Sequence, residues 1–205
     1  MHVASTLVTE ILYRRVMKEQ LEKLEESRRK DVVYVTELVS CSHKYHLRRK
    51  YPELTLGFEP SAVLGTLLHL GLESILREEG YEVEYSVERQ VEVEGAFYTV
   101  KGRVDAFNPS RGVVVEVKSS RSSRELPRQH HIEQLNIYLN LLEAEKGILV
   151  YITPDKIEEY EVLKERIDVG DLLKNTINDL IHPRYSWECN YCAFKRICPY
   201  STEAR

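Results

Sequence analysis

Residues 102–120 read GRVDAFNPSRGVVVEVKSS, and no other stretch restricts the fold of this chain so closely. The segment Asn108-Pro109-Ser110-Arg111-Gly112 is dense in turn formers. It separates two runs rich in β-branched and apolar residues, a pattern that predicts two strands joined by a hairpin. The second run, Val113-Val114-Val115-Glu116-Val117-Lys118, is apolar enough to demand a covered sheet. Yet a carboxylate and an ammonium interrupt it, two residues apart. An unpaired charge is expensive to bury. The expectation is that the valines anchor the strand in the core while Glu116 and Lys118 project from the opposite face into a cleft.

With the turn centred near residue 110, Asp105 falls opposite residues 115–117. Directly opposed side chains lie about 4.5–5.5 Å apart, so Asp105 and Glu116 can share one site. Glu116 and Lys118, two apart on a strand, face the same way. Two carboxylates this close repel unless a proton or a metal ion sits between them. Hard oxygen ligands suit magnesium or manganese. The same residues are also compatible with a structural ion pair, Asp105 or Glu116 with Lys118. A one-residue slip in the hairpin would turn Glu116 and Lys118 to the wrong face.

Hydrophobic periodicity places the remaining elements. Leu7, Val8, Ile11, Leu12, Val16, Leu21 and Leu24 predict an amphipathic helix over residues 5–29. A short extended piece follows at 31–35. Thr36 reads as the N-cap of a helix running to Tyr51 and stopped by Pro52. A third helix covers residues 61–79 and ends at Gly80. Residues 81–95 alternate apolar and charged, as a half-buried strand does. Pro127 opens a helix that Gly147 closes. A short apolar strand at 147–153, a further segment at 157–165 and a helix over 168–182 complete the pattern. The expected fold class is α/β, a mixed central sheet flanked by helices, with the last core strand returning parallel to an earlier one.

The chain has 205 residues and a net charge of −4, so it is not a polycation that coats nucleic acid. Any such contact needs local basic patches, and HKYHLRRK (43–50) and RSSRELPRQHH (121–131) qualify. No apolar stretch approaches the roughly 18 residues of a membrane span. Glu10, Arg14 and Arg15 stand where a signal peptide needs an apolar core. A cytoplasmic protein is expected, with no membrane contact, in a compartment where disulfides are uncommon.

The sequence Asp105…Glu116-x-Lys118 on adjacent strands resembles the core motif of the PD-(D/E)xK nuclease superfamily. The likeness extends to GTLLH (65–69), similar to the Gly-x-x-x-His helix of RecB-like members, and to QLNIY (134–138), similar to their Gln-x-x-x-Tyr motif. Alone, a histidine in LLHLGL reads as a core residue, and Gln134 and Tyr138 suit any amphipathic helix. All four elements in this order carry the resemblance. It implies a restriction-endonuclease-like core in which His69, Asp105, Glu116 and the backbone carbonyl of Val117 hold one divalent ion, manganese or magnesium. Lys118 then orients a water or stabilises developing charge. Gln134 and Tyr138 position the substrate strand, with Tyr138 a candidate for base stacking. Lys44, Arg48, Arg49 and Lys50 are the candidate DNA-binding cations.

The only cysteines are Cys41, Cys189, Cys192 and Cys198. A chain that clusters three of four cysteines within ten residues is building a metal site. Zinc with four thiolates is possible. An iron–sulfur cluster accepts the looser spacing of one distant cysteine plus three. A RecB-like core with one cysteine before it and three after it is similar to the iron–sulfur nucleases, and among them to the CRISPR-associated exonucleases of the adaptation module. That resemblance implies a [4Fe–4S] or [2Fe–2S] cluster clasping the two ends of the chain, single-stranded DNA as substrate, and the CRISPR integrase as partner. It divides the chain into N-terminal helices with one cluster cysteine (1–60), a nuclease core (61–182) and a cysteine tail (183–205). The rivals are a RecB-type repair nuclease, whose helicase would have to be a separate protein because no P-loop motif is present, and a non-catalytic iron–sulfur or zinc DNA-binding module.

Overall fold

Strand β3 (Ala96–Asn108) is the axis of a six-stranded mixed sheet in this computed structural model, which describes residues 5–202. Residues 1–4 and 203–205 of the expected terminal parts lie outside the described residues, and of Lys23 and residues 25–27 only the backbone is described. One edge of β3 pairs antiparallel with β2 (Glu82–Val93), from Val93↔Ala96 to Glu82↔Phe107. The other edge is divided between two strands. β1 (Val32–Tyr34) runs parallel beside Thr99–Lys101, and β4 (Val113–Ser119) runs antiparallel beside Ala106–Asn108. On this edge residues 102–105 lie between the two ladders with no strand paired to them. The sheet forks there.

Beyond the fork β4 keeps its other neighbour. β5 (Lys146–Ile152) runs parallel to it along its whole length, and β6 (Ile157–Leu163) closes that edge antiparallel to β5. A parallel return needs a crossover, and helix α5 (Gln129–Leu142) supplies it. The expected parallel strand is therefore β5.

The valines of β4 anchor both faces. Val113, Val115 and Val117 pack with Ala106 and Val150 against Leu68, Leu72 and Leu76 of helix α4 (Pro60–Glu78). Val114 joins Val100, Val104 and Leu149 under Leu135, Tyr138 and Leu139 of α5. β3 changes the face it buries between Val104 and Ala106. Opposite Asp105 the β2 backbone turns left-handed at Glu84 (φ 50°), a conformation uncommon for a residue with a side chain, and the ladder skips that pair. The kink sits beside the fork.

Several predicted boundaries move. The helix expected from Thr36 to Tyr51 is two, α2 (Val35–Leu38) and α3 (Ser42–Lys50), with Cys41 at the break in an extended conformation. Its N-cap is Tyr34, whose N–H donates to the Glu37 carboxylate (3.0 Å). Ser42 explains the break: its N–H donates to Ile181 O (2.8 Å) and its hydroxyl to Asn175 O (3.1 Å), which ties the start of α3 to helix α6 (Val169–Ile177) and the chain beyond it. For the same reason α6 ends short of residue 182. The α5 helix starts two residues after Pro127 and ends on left-handed Glu143, not at Gly147. Gly147 lies inside β5, where a Cβ would come within 2.8 Å of the Leu135 side chain.

Helix α1 (Leu7–Ser27) forms as expected, but its apolar stripe leans on a loop rather than the sheet. Gln20 exchanges two hydrogen bonds with the Gly57 backbone, and Tyr13 meets Phe58 edge-on. Leu7, Val8, Ile11 and Leu21 are exposed. No helix among the described residues is long and apolar enough to cross a membrane.

Candidate active site

The fork gathers side chains from four elements. The β3–β4 register runs Asn108↔Val113, Phe107↔Val114, Ala106↔Val115, which brings Asp105 level with Glu116 at the first position beyond the ladder. Instead of continuing backbone pairing, Asp105 Oδ2 accepts from the Val117 N–H (2.7 Å). The other oxygen, Oδ1, lies 3.3 Å from His69 Nδ1 on α4. Gly65, one turn before His69, lets α4 approach β4: a Cβ there would stand 3.0 Å from Ser119 Oγ.

Glu116 and Lys118 face α5, on the same side as Val114. Lys118 Nζ donates to Glu116 Oε2 (2.8 Å) and to Gln134 Oε1 (3.2 Å). Tyr138, one turn beyond Gln134, donates its hydroxyl to Arg103 O (3.2 Å). Its ring crosses the β3 backbone at Gly102, where a side chain has no room. The cleft in front of these groups measures about 620 Å³. Gln20 and Leu24 of α1 and Arg48 of α3 also border it.

Glu116 departs from the expectation of a charge held at the core's edge. It is 2% exposed, among the most buried side chains of the fold. Burial pushes its carboxyl up, against the pull of Lys118. Burial works to lower the Lys118 ammonium too, but the Glu116 carboxylate, its hydrogen bond and Asp105 outweigh it and raise it. Glu116 Oε1 is buried with no hydrogen-bond partner. A lone buried carboxylate oxygen is costly, and a cation beside it removes that cost. The hydrogen bond to Asp105 raises His69 toward its charged form.

The structure also adds Glu73, one turn beyond His69. Among the described residues, His69, Glu73 and Asp105 form the one set of three potential metal ligands whose ligand atoms all lie within 4.8 Å of one another. Glu116 stands outside that set, turned toward Lys118. Glu73 was not expected, although its spacing of four from His69 puts both on one helix face. Burial raises its carboxyl as well. An imidazole with several carboxylate oxygens is a donor set that suits manganese or magnesium.

The predicted DNA-binding cations of α3 separate. Arg49 is not available to DNA: its side chain is 10% exposed, donates to Glu37 Oε1 (3.0 Å) and Val32 O (2.6 Å), and lies over the Tyr45 ring. The buried Glu37 needs that partner. Lys44 borders the cysteines, Lys50 is exposed over Tyr51, and Arg48 alone faces the cleft. Tyr138 is 2% exposed, which removes it as a base-stacking surface and leaves it a support for the fork.

Cys41, Cys189, Cys192 and Cys198 border a separate cavity with Lys44 and Glu188. Glu188 holds its walls together: Oε1 accepts from Cys41 N–H (2.9 Å), and Oε2 from Arg184 N–H (2.8 Å) and Tyr185 N–H (3.0 Å).

Comparison with known proteins agrees with this arrangement. The family model of the PD-(D/E)XK nuclease superfamily matches residues 74–199. The CRISPR-associated exonuclease Cas4 of Saccharolobus solfataricus is 43% identical over 202 residues, covering 94% of this chain and 98% of that protein. The crystal structure of SSO0001 superposes with a TM-score of 0.89 at 42% identity, over 95% of this chain and 97% of that one. An alkaline exonuclease from Laribacter hongkongensis shares the fold at a TM-score of 0.55 and 11% identity, over 78% of this chain and 90% of that one. Fork, carboxylates and sequence thus lead to one conclusion: the chain is a nuclease of the PD-(D/E)XK superfamily and belongs to the family of the CRISPR-associated exonuclease Cas4.

Proposed function

We propose that this nuclease removes nucleotides from the ends of single-stranded DNA, with a divalent ion at the fork and an iron–sulfur cluster at the cysteines, and that it trims DNA for CRISPR spacer acquisition beside the integrase. The observation that carries the reading is the buried, unpartnered Glu116 Oε1 beside Asp105 and Lys118 at the gap in the sheet. His69, Asp105, Glu116 and the Val117 carbonyl, with Glu73 added, are the residues that would hold the ion. When bound, it supplies a Lewis acid for the phosphate and lowers the pKa of a water.

The chain's own groups do the rest. The Asp105–Val117 hydrogen bond fixes the fork so that the donors keep their spacing. Lys118 is held by Glu116 and Gln134, and its remaining proton can steady a water or the charge that develops on phosphorus oxygens. Arg48 is placed to meet the backbone of an incoming strand. A cleft of about 620 Å³ is the size of a small-molecule site. With α1 and α3 along its rim, it suits a strand end better than a duplex.

The four thiols border a common cavity, one distant in sequence from the other three. Structural zinc sites draw their thiolates from close pairs. A polynuclear centre accepts the wider spacing in sequence.

End-labelled single-stranded DNA, digested with manganese, magnesium or EDTA by wild type and Lys118→Ala, tests the reading. Cleavage is expected only with a metal and only by wild type. Cleavage in EDTA, or undiminished activity in the variant, refutes the site.

A further inference from the structure

Tyr138 is too buried to touch a base, but an aromatic surface open to solvent lies one helical turn away. His130 and His131 precede Gln134 by four and three residues on α5, about one turn, and Gln134 holds Lys118. The His130 ring meets the Trp187 indole with centroids 4.9 Å apart. Trp187 in turn lies parallel to Tyr185, at 5.7 Å and 11° between planes. Behind them His131 Nδ1 reaches the hydroxyl of Tyr151 (2.8 Å), the β5 neighbour of Lys118.

Packing explains part of this cluster. Glu133 accepts from the Tyr185 hydroxyl (2.8 Å) and the Arg184 guanidinium (3.0 Å), which clips the cysteine tail onto α5. It does not explain Trp187, which remains 42% exposed. The loop from β4 to α5 adds charge at the same place. Arg121, Arg124 and Arg128 are all exposed, and Glu125 is the one acidic residue among 120–131. On a chain of net charge −4 this loop is a local attractor for phosphate.

We propose that Trp187, backed by Tyr185 and His130, forms with Arg121, Arg124 and Arg128 a ledge that binds single-stranded DNA beside Lys118. Aromatic faces stack unpaired bases of any sequence, and arginines track the backbone; this combination fits a single strand. A duplex hides its base faces and would use the arginines alone. The choice of DNA as occupant rests on the nuclease reading above.

Trp187 is the only tryptophan, so its emission reports on the ledge alone. The full-length protein is titrated with oligodeoxythymidylate in EDTA. A saturable change in emission is expected, weaker at high salt. Trp187→Ala should bind about tenfold more weakly, and Trp187→Phe nearly as wild type. Arg121→Ala/Arg124→Ala should lower the slope of log affinity against log salt by about one to two. With manganese, Trp187→Ala and Arg121→Ala/Arg124→Ala should raise KM and keep kcat. The arginine variant lies outside the tail, so it tests the ledge even if Trp187→Ala disturbs the cysteines. Unchanged emission together with wild-type affinity in both variants overturns the ledge, while manganese-dependent cleavage by wild type leaves the nuclease reading standing. Strand binding at the ledge with no cleavage under any metal supports the ledge and overturns the nuclease reading alone.

Discussion

Asp105 Oδ2 accepts a 2.7 Å hydrogen bond from the backbone N–H of Val117, so one carboxylate both closes the strand fork and presents its second oxygen to His69. These roles can be separated. Asn at this position still offers an oxygen to the Val117 N–H but carries no charge. Asp105→Asn should keep its melting temperature close to wild type and lose cleavage by on the order of a hundredfold or more. Asp105→Ala leaves the N–H unpaired and should cost about 1–3 kcal/mol in addition. Thermal melts beside the end-labelled assay read both; equal melting of the two variants would remove the structural role.

Lys118 and Glu116 form a buried pair in which each charge depends on the other. Removing one partner of such a pair is strongly destabilising unless the other neutralises. Burial already pushes the Glu116 carboxyl up, so in Lys118→Ala it takes a proton and limits the loss. A divalent ion would compete for the same oxygens. Manganese should therefore raise the melting temperature of Lys118→Ala more than that of wild type, although the variant does not cleave. Equal shifts would mean that the ion does not contact Glu116.

The meeting of Asp105, Glu116 and Lys118 was legible because strand geometry is regular. A turn at 108–112 and a period of two suffice to bring Asp105 level with Glu116 and to put Lys118 on the same face. The fork was not legible, because it arises from β1 and β4 sharing one edge of β3, a relation between segments some 80 residues apart. Glu73 escaped notice because a glutamate in an amphipathic helix ordinarily faces solvent, and only tertiary packing buries this one. Gly102 carried a signal, a glycine within a strand pattern, which marks a close approach. Arg49 misled for the converse reason. Its basic neighbours suggested a DNA surface, yet the buried Glu37 had claimed it.

Arg49 is thus expected to act on stability rather than on DNA. Its loss leaves Glu37 buried at 5% exposure, with Arg48 at 3.7 Å as the nearest remaining cation. Arg49→Ala should cost about 3 kcal/mol and leave the salt dependence of DNA binding unaltered. Arg48→Ala should do the opposite, with little change in melting and a salt slope lowered by about one. Oligonucleotide titrations at several salt concentrations distinguish them. A lowered slope in Arg49→Ala would restore it to the DNA surface.

The cysteine cavity joins the break after α2 to the tail, closing a loop of about 150 residues, for which a cross-link contributes at most about 5 kcal/mol through the unfolded chain. Burial pushes the Cys41 thiol up to about 11, so a metal centre bound there has to displace its proton. Cys41→Ser and Cys198→Ser should each lose visible absorbance and several degrees of melting temperature together, with the fork's cleavage chemistry impaired only as far as the fold loosens. A colourless wild type of the same stability that contains zinc would rule out the iron–sulfur centre.

His131 makes the fold sensitive to acid. Burial, followed by Lys118, His130 and Arg128, lowers its imidazole from 6.5 to about 2. The contacts agree with a neutral ring: the Arg128 N–H donates to the Tyr151 hydroxyl oxygen (3.0 Å), leaving the hydroxyl proton for His131 Nδ1 (2.8 Å). Above pH 6.5 neither the folded nor the unfolded chain protonates it. Between 6.5 and about 2 only the unfolded chain does, so the stabilisation is complete above 6.5 and is lost as the pH falls. The slope approaches about 1.4 kcal/mol per pH unit. His131→Gln keeps an acceptor for Tyr151 but cannot titrate. Its denaturant midpoint should decline less than that of wild type between pH 7 and 5. Parallel declines would show that His131 takes up its proton as readily in the folded protein as in the unfolded one, and would remove its role in the acid sensitivity.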